Sequence, residues 1–205
     1  VFGKASWAGT PSLDLATLDG TSGFRLIGID ENDFSGFSVS SAGDVNGDGI
    51  DDLVIGTRDA EDAGGGNYEG ESYVVYGKAS WAGTPSLDLA TLDGTNGFRL
   101  IGIDAGDYSG RSVSSAGDVN GDGFADLIVG APQAESVGGA TIEGESYVIF
   151  GGNFNGAVTH LGTPGDDTLT GSAAAETFVG GTGNDLLIGN GGADAFQGGA
   201  GNDTI

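Results

Sequence analysis

Short runs of alternating apolar and polar residues, separated by turns rich in glycine and aspartate, fill most of the chain up to residue 152. The runs are rich in valine, isoleucine, phenylalanine and tyrosine, and such runs between glycine-rich turns predict β-strands. Four of them fall in the first part of the chain, at residues 24–29, 38–45, 52–58 and 72–76. Their counterparts begin 74 positions later, at Phe98, Ser112, Asp126 and Ser146. The pattern therefore predicts a repeated, four-stranded β-unit.

The two copies of this unit are nearly identical at their start, since residues 4–30 and 78–104 differ only where Ser22 is replaced by Asn96. Four antiparallel strands per unit are typical of a propeller blade, and a closed propeller needs about four to eight blades. We therefore interpret the sequence as an internal fragment with further blades outside it, and expect unpaired edges on its outer strands. Alternating leucines in residues 12–18 and 86–92 predict an added edge strand or a short packed insertion before each blade.

Beyond residue 161 the period of the pattern changes from 74 to nine. Acidic residues recur at Asp167, Glu176, Asp185, Asp194 and Asp203, and an apolar residue follows each of them by two positions. Glycine-rich nonapeptides of this kind are typical of a parallel β-roll, in which six residues form a turn and three form a short strand. Two nonapeptides complete one coil, so alternate repeats are expected to stack. A flexible glycine-rich linker with incidental aspartates is the alternative.

These patterns divide the chain into two blades at residues 1–152, a junction at 153–161 and a roll at 162–205. Glycine occupies 43 of the 205 positions, yet β-branched and aromatic residues persist between the glycines, which favours turn-dense β-structure over disorder. The predicted fold class is all-β, with two four-stranded β-propeller-type blades (a partial propeller) followed by a short parallel β-roll.

The formal charge of −24, from 30 acidic residues against six basic ones, limits the choice of partners. Such a field excludes nucleic acid and anionic membrane surfaces. No apolar stretch approaches membrane-spanning length, so we expect no membrane insertion by this part of the protein. Cysteine is absent, and neither a disulfide framework nor thiol chemistry is expected. The clustered carboxylates favour bound cations as the stabilising element instead.

One oxygen-rich loop occurs in both units, at residues 44–52 and 118–126. Hard cations such as Ca²⁺ bind six to eight oxygens, and a glycine at loop position 6 (Gly49, Gly123) permits the sharp turn that brings such oxygens together. The candidate ligands are side-chain oxygens at positions 1, 3, 5 and 9 and a carbonyl at position 7: Asp44, Asn46, Asp48, Ile50 and Asp52, then Asp118, Asn120, Asp122, Phe124 and Asp126.

The flanks of this loop distinguish it from an EF-hand. An EF-hand carries a bidentate glutamate at position 12 between two helices, whereas position 12 is Ile55 or Val129 here and both flanks are strand-like. We therefore predict a calcium loop within a β-hairpin. An Asp/Asn/Gly turn without an ion is the alternative.

The roll predicts a second set of calcium sites, in which turn carbonyls and acidic side chains share an ion. Their candidate ligands are Asp167, Glu176, Gly181, Gly183, Asp185, Asp194, Gly199, Gly201 and Asp203. Stacking places ions between the turns of Asp167 and Asp185, between those of Asp185 and Asp203, and on the opposite side between those of Glu176 and Asp194. The second repeat has lost its turn glycine and carries Glu in place of Asp, so we expect its site to be weak or empty.

These motifs resemble two known repeat families. Residues 1–152 resemble FG-GAP repeats, the blades of integrin-α-type β-propellers, with Phe2-Gly3, Tyr76-Gly77 and Phe150-Gly151 in the "FG" place. Gly130-Ala131-Pro132 matches "GAP", from which the first unit departs with Gly56-Thr57-Arg58. Residues 162–205 resemble RTX, or haemolysin-type, nonapeptides. The resemblance implies that Ca²⁺ binds to the loops on one face of the propeller.

Several other residues recur or stand alone without an obvious role in metal binding. His160 is the only histidine, and without a cysteine or a second histidine beside it in the sequence it is expected to be a plain junction residue. Trp7 and Trp81 occupy equivalent places and are expected to pack between blades, with an exposed platform for sugar as the alternative. Arg25 and Arg99 are expected to pair with carboxylates.

The chain is interpreted as non-enzymatic, because no nucleophile accompanies a base. The resemblance implies a calcium-binding fragment of a secreted bacterial surface protein of the adhesin type, exported by type I secretion and stabilised by extracellular calcium. Its expected partners are calcium ions and a cell-surface protein or glycan. Two alternatives stay open: an accessory repeat region of a secreted RTX-type hydrolase whose catalytic domain lies outside the fragment, and a carbohydrate-binding propeller.

Overall fold

The computed structural model describes residues 12–61, 68–135 and 141–205, so Phe2, Gly3 and Trp7 lie outside the described residues. The strands before residue 150 are β1 (Arg25–Ile27), β2 (Ser38–Gly43), β3 (Asp52–Thr57), β4 (Glu71–Val75), β5 (Ser86–Asp88), β6 (Gly97–Ile101), β7 (Ser112–Gly117), β8 (Asp126–Ala131) and β9 (Glu145–Ile149). The later strands are β10 (His160–Leu161), β11 (Thr168–Thr170), β12 (Thr177–Thr182), β13 (Leu186–Ile188) and β14 (Ala195–Ala200). Within the three described ranges, no helix is long and apolar enough to span a membrane.

The first blade is a four-stranded antiparallel sheet in the order β2-β3-β4-β6. β3 and β4 form its centre and are almost entirely buried, which fits their continuous apolar, β-branched sequence. The fourth strand, β6, belongs to the following sequence repeat. The sequence assigned residues 24–29 to the first blade; instead, the shorter strand β1 lies outside that sheet and pairs in parallel with β5. The blade is therefore offset from the sequence repeat by one strand.

The leucine-rich segments before each blade form short helical turns, where an edge strand was one of the predicted alternatives. Each is a 3-10 helix of three residues, at Leu15–Thr17 and Leu89–Thr91. Asp14 and Asp88 cap the turns by accepting hydrogen bonds from the backbone N–H groups of Ala16 and Ala90, both at 2.9 Å. The segments are therefore packed insertions, and the second one also pairs with β1 through β5.

The second blade contains three strands, in the order β7-β8-β9. Within the described residues no strand pairs with the outer edge of β9, whereas the equivalent edge of β4 is paired with β6. The predicted unpaired edge is thus present at β9. The all-β fold class, with blade sheets followed by a parallel roll, is confirmed.

A buried apolar layer lies between the two blades. Val54 and Val74 of the first blade meet Val113, Leu127 and Val129 of the second. The sheets approach so closely that a Cβ atom on Gly56 would lie 2.0 Å from the carbonyl oxygen of Gly110, two residues before β7. This contact explains Gly56, whereas a Cβ atom on the equivalent Gly130 would lie 2.5 Å from Ser112 Oγ of its own blade.

The opposite face of the first blade is covered by residues that precede the next blade. Ile55, Tyr73 and Val75 form a second buried cluster with Trp81, and the ring of Phe24 stacks on Trp81 with 3.7 Å between ring centroids. Trp81 is buried in this cluster, which favours packing over an exposed platform, but it lies on this outer face of the first blade and not in the layer between the two described blades, where it was expected.

The C-terminal part is a parallel roll with two short sheets, β10-β12-β14 and β11-β13. Residues 18 positions apart are paired, as in Phe178 with Phe196 and Leu169 with Leu187. His160 begins this roll: its ring stacks on Phe178, which stacks in turn on Phe196, at centroid distances of 4.4 and 4.9 Å. The predicted stacking of alternate nonapeptides is the arrangement that the structure has.

We predict that Leu127→Ala lowers the free energy of unfolding by about 2–5 kcal/mol, because it leaves a cavity between the blades. Leu53 is the equivalent residue of the first repeat and serves as a matched control, since it is 37% exposed against 1% for Leu127. Leu53→Ala should cost about 1 kcal/mol. Urea denaturation at one fixed calcium concentration measures both changes. Equal losses would contradict the packing between the blades.

Candidate calcium sites

The two oxygen-rich loops join the first two strands of each blade, β2 to β3 and β7 to β8. A β-bulge precedes each loop, between Ser41 and Gly43 in one blade and between Ser115 and Gly117 in the other. A bulge re-aims the chain at the end of a strand. Both loops therefore leave their sheets at the same place and in the same direction.

The first aspartate of each loop organises the turn through backbone N–H groups. Oδ1 of Asp44 accepts from the N–H groups of Gly47 (2.7 Å) and Asp48 (3.0 Å), and Oδ2 accepts from Gly49 (2.7 Å). Asp118 makes the same three contacts with its own loop, at 2.7, 3.1 and 2.9 Å. Gly49 and Gly123 have φ angles of 84° and 88°, a left-handed conformation that favours glycine, as predicted for position 6.

Positions 3 and 5 are held in the same way in both copies. Asn46 Oδ1 accepts from the N–H of Asp48 at 3.0 Å, and Asp48 Oδ1 accepts from the N–H of Ile50 at 2.9 Å. Asn120 and Asp122 make the equivalent bonds, both at 3.0 Å. The side-chain oxygens are therefore fixed in position by the loop itself.

The ninth residue of each loop is a buried clamp. Asp52 accepts from the N–H of Val45 (2.9 Å) through one oxygen and from the N–H of Gly77 (2.7 Å) through the other. Asp126 repeats this with Val119 and Gly151, at 2.7 and 2.9 Å. Burial raises the pKa of Asp52 to about 7, and the two N–H donors act in the opposite direction.

The glycine of the "FG" motif is required by this clamp. A Cβ atom on Gly77 would lie 2.5 Å from the carbonyl oxygen of Asp51, and one on Gly151 would lie 2.5 Å from that of Ala125. The N–H of this glycine, at the end of the neighbouring strand, closes the loop by donating to the ninth loop residue. Sequence reasoning used these glycines only as a family signature and did not predict this role.

The donor set of both loops fits Ca²⁺, because it consists of carboxylate, amide and carbonyl oxygens. Within the three described ranges, no group of three Asp, Glu, His or Cys side chains is placed to hold a metal ion by itself. The carboxylates are turned towards their own backbone N–H groups, yet a carboxylate offers about four lone-pair sites and keeps some of them free. Asp44, Asn46, Asp48 and the carbonyl of Ile50 would hold the ion in the first loop, and Asp118, Asn120, Asp122 and the carbonyl of Phe124 in the second. Asp52 and Asp126, the predicted ligands at position 9, each accept two backbone N–H bonds, and their role as ligands stays a prediction.

In the roll, acidic side chains form a ladder between coils. The N–H of Asp167 donates to Asp185 Oδ1 at 2.8 Å, and the N–H of Asp185 donates to Asp203 Oδ1 at 2.9 Å. On the opposite side the N–H of Glu176 donates to Asp194 Oδ1 at 3.0 Å. The structure therefore brings the predicted residues together in the three predicted pairs.

Asp185 gives the best test of whether a cation fits the roll. It is buried, and its Oδ2 atom has no hydrogen-bond partner among the described residues. A Cβ atom on Gly180 would lie 2.4 Å from this oxygen, so the turn leaves room for the carboxylate only because glycine is there. A buried anionic oxygen without a donor is costly unless a cation compensates it. The site fits Ca²⁺, together with turn carbonyls such as those of Gly181, Gly183, Gly199 and Gly201.

Glu176 has a different environment. Ser172 donates to both of its oxygens, through its N–H at 2.7 Å and its hydroxyl at 3.0 Å. The N–H of Ser172 is the main cause of the lowered pKa of Glu176. With both oxygens engaged by one serine, the expectation of a weaker site on this side stays a prediction.

The roll lies directly against both blade loops, a contact that the sequence did not predict. Phe124, at position 7 of the second loop, is buried against Val158 and Val179. A Cβ atom on Gly123 would lie 2.6 Å from Val179, and one on Gly49 would lie 3.0 Å from Ala195. The three-stranded sheet of the roll therefore covers the loop face of the blades.

Gln197, on β14 of the roll, is a residue that sequence reasoning missed. Its side-chain N–H donates to Asp44 Oδ2, and it borders a groove of about 360 Å³ together with Asp44, Asp118 and Gly199. Burial raises the pKa of Asp44, and Asn46 is buried whereas its counterpart Asn120 is exposed. The roll thus covers the first loop more completely than the second. A glutamine between two glycine-rich repeats gave no signal of this contact.

We predict that Asp52→Asn lowers the free energy of unfolding by about 1–3 kcal/mol, because the amide can accept only one of the two buried N–H bonds. Asp51 is exposed and adjacent, so Asp51→Asn is the matched control and should change stability by less than about 0.5 kcal/mol. Urea denaturation should be repeated at rising calcium concentration. A loss that is absent without calcium and appears only as calcium rises would mean that the carboxylate acts only as a metal ligand and not as a clamp.

We also predict that Asp185→Ala removes more calcium from the roll than Asp194→Ala does. Asp185 takes part in two of the predicted sites, whereas Asp194 takes part in the one shared with Glu176. Isothermal titration calorimetry should show the larger fall in bound calcium, and the larger loss of affinity, for Asp185→Ala. Equal effects would contradict the ranking of the sites.

Comparison with known proteins identifies both types of repeat. The family model described as "FG-GAP repeat" matches residues 35–75 and 109–161. The model described as "RTX calcium-binding nonapeptide repeat (4 copies)" matches residues 161–175 and 170–205. The order of the two repeat types, predicted from the motifs, is confirmed.

Similar proteins include integrin alpha chains. Integrin alpha pat-2 of Caenorhabditis elegans is 33% identical over 138 residues, which is 61% of this chain and 10% of that protein. Integrin alpha-5 of Xenopus laevis is 31% identical over 141 residues, 67% of this chain and 11% of that protein.

A relative with an enzyme name matches as well. Phosphatidylinositol-glycan-specific phospholipase D of Rattus norvegicus is 35% identical over 113 residues, 55% of this chain and 13% of that protein. The chain therefore matches only about a tenth of the length of these relatives. Its repeat types point to an extracellular or surface protein. The chain contains FG-GAP repeats of the integrin alpha type followed by RTX calcium-binding nonapeptide repeats, and its cofactor is Ca²⁺.

Proposed function

We propose that this chain is a non-catalytic, calcium-stabilised part of a secreted bacterial surface protein of the adhesin type. The observation that carries the proposal is the buried Asp185 carboxylate, which has an oxygen without a donor at the centre of a stacked acidic ladder. A ladder of this kind holds its shape when cations lie between the turns. Calcium binding at these positions would make folding depend on the calcium outside the cell.

The charges of the chain support a cation requirement. Only six basic residues face 30 acidic ones, and the ion pairs among the described residues are Arg58 with Asp59 and Arg99 with Glu71. Neither pair touches the blade loops or the roll turns. The acidic turns therefore repel one another until divalent ions reduce their charge.

This balance suits export as an unfolded chain followed by folding outside the cell. Extracellular calcium modules have dissociation constants of about 10⁻⁴ to 10⁻³ M. At tenfold excess over the dissociation constant, each occupied site contributes about 1.4 kcal/mol to stability. Four sites, two in the loops and two in the roll apart from the weaker one at Glu176, would together contribute about 6 kcal/mol, which is comparable with the whole stability of a small domain. In a cell interior poor in free calcium, that contribution is missing.

A second candidate function is an accessory repeat region of a secreted hydrolase. It is favoured by the match to a relative named as a phospholipase D. The two candidates differ in what flanks the repeats: a reading frame that encodes H-E-x-x-H or G-x-S-x-G beside them would support the hydrolase. The third candidate is a carbohydrate-binding propeller. Trp81 is buried, so it does not form the exposed aromatic platform for sugar that this candidate would use. A glycan array with a version that contains all blades would test it.

We predict that calcium drives folding of the chain. In EGTA the far-ultraviolet circular dichroism should be that of a largely unfolded chain, and millimolar calcium should restore a β-sheet spectrum with a midpoint near 10⁻⁴ to 10⁻³ M. Magnesium at the same concentration is the control and should be much less effective, because it needs near-ideal octahedral geometry and dehydrates reluctantly. A spectrum that is unchanged between EGTA and calcium would refute coupled folding.

A further inference from the structure

The two blade loops have the same ligand pattern but different surroundings. Val45 and Asn46 of the first loop are 1% and 0% exposed, whereas Val119 of the second loop is 55% exposed and Asn120 is exposed as well. The hydrogen bonds inside the two loops are equivalent, so this difference comes from what lies against each loop. Any difference in calcium binding between the loops therefore has to come from residues outside them.

The roll places a polar side chain on the first loop and an apolar one on the second. Gln197 and Val179 are paired residues of the neighbouring strands β14 and β12. The side-chain N–H of Gln197 donates to Asp44 Oδ2. Val179 lies over Gly123 instead, at 2.6 Å from a Cβ atom built on that glycine. Among the residues that the structure describes, only the first aspartate of the first loop thus receives a hydrogen bond from the roll.

A donor of this kind favours metal binding at the carboxylate that it contacts. It fixes the orientation of the ligand before the ion arrives, so that less conformational freedom is lost on binding. Hydrogen bonds to a metal ligand from outside the coordination sphere typically contribute about 10–100-fold to metal affinity. Because Gln197 bears no charge, it orients Asp44 without cancelling the negative charge that attracts the ion.

A tyrosine hydroxyl is the second difference between the loops. Tyr76 is 4% exposed, and its hydroxyl has no hydrogen-bond partner in the described part of the chain. Burial, followed by the charges of Asp52 and Asp48, raises the pKa of this hydroxyl to about 12, so the group lies close enough to the first loop to be influenced by both carboxylates. The counterpart of Tyr76 in the second repeat is Phe150, which has no hydroxyl.

The unpartnered hydroxyl favours a filled loop over an empty one. A buried polar group without a hydrogen bond costs free energy. Calcium commonly keeps water among its oxygen ligands, and a water that arrives with the ion can supply the missing partner. Because this partner is present only when the ion is bound, the hydroxyl of Tyr76 stabilises the bound state more than the empty one.

We propose that Gln197 and Tyr76 are positioning residues of the first loop, and that they make it the tighter of the two blade calcium sites. Gln197 acts through Asp44, and Tyr76 acts through water bound to the ion. This inference rests on the proposed calcium requirement of the chain and adds a rank to two sites that share one motif. The roll then contributes to a calcium site of the first blade in addition to the sites between its own turns.

Nuclear magnetic resonance can follow the two loops separately in one experiment. The N–H of Gly49 donates to Asp44 at 2.7 Å and the N–H of Gly123 donates to Asp118 at 2.9 Å, so each amide signal reports on the first aspartate of its own loop. Both signals are recorded on the full chain while a chelator lowers free calcium, in sucrose, which favours the folded state. We expect the midpoint for Gly123 to lie at a calcium concentration about tenfold higher than that for Gly49.

Two substitutions make the first loop resemble the second. Gln197→Val introduces the residue type that covers the second loop, and it should raise the calcium midpoint of Gly49 about tenfold while that of Gly123 changes by less than about twofold. Tyr76→Phe copies the second repeat and should raise the midpoint of Gly49 by about two- to tenfold, which corresponds to the loss of one hydrogen bond.

Matched controls make the same chemical changes away from the loops. Gln133 is exposed and lies beyond the end of β8 that is opposite to the loop, so Gln133→Val should leave both midpoints unchanged. The hydroxyl of Tyr147 donates to Glu145, at the start of β9, and Tyr147→Phe should likewise leave both midpoints unchanged. Circular dichroism at saturating calcium checks that each variant is folded.

The outcomes separate this proposal from the calcium requirement itself. Equal midpoints for Gly49 and Gly123 in the natural chain would overturn the proposal and leave calcium binding intact. A Gln197→Val variant that shifts both midpoints by the same factor would do the same, because it would show a general loss of stability. Signals that do not respond to calcium at all would overturn the proposed function as well. The comparison in the natural chain needs no variant, so it decides the ranking even if a substitution prevents folding.

Discussion

The structure depends on how backbone N–H groups hold carboxylates in tight turns. In both blade loops the first aspartate accepts three N–H bonds, and in the roll the aspartates of successive coils are linked through Oδ1. These bonds set the positions of the acidic groups but leave their charges in place. Because few basic residues are present to balance them, the turns need cations. Both repeat types meet this need with the same physical chemistry, although one is a hairpin loop and the other a coil.

The contact between roll and blades makes these two calcium-binding parts one structure. Phe124 belongs to a blade loop and packs on Val179 of the roll, and Gln197 of the roll donates to Asp44 of a blade loop. The glycines of the loops allow this approach, because any side chain at Gly123 would collide with the roll. Ordering of the roll and ordering of the loops are therefore coupled by direct contact.

The offset between sequence repeat and blade shapes the surface of the molecule. The first blade takes its fourth strand, β6, from the next repeat, and within the described residues no strand takes the equivalent place beside β9. The open edge at β9 spans five residues with one charge, at Glu145, and has no lysine or proline of the kind that protects many edge strands. Such an edge is suited to pairing.

The sequence by itself determined the features that depend on neighbours along the chain. The 74-residue and nine-residue periods, the ligand spacing in the loops, the glycines with positive φ and the pairing of residues 18 apart all follow from local pattern, because turn geometry and coil length are short-range properties. The repeat families and the cofactor followed from the same motifs. The tertiary structure alone decided the exchange of β6 between repeats, the roll on the loop face and the bond from Gln197 to Asp44, which are 153 residues apart. Contacts over such distances arise when whole surfaces bury each other, and a single sequence contains no periodic signal for them.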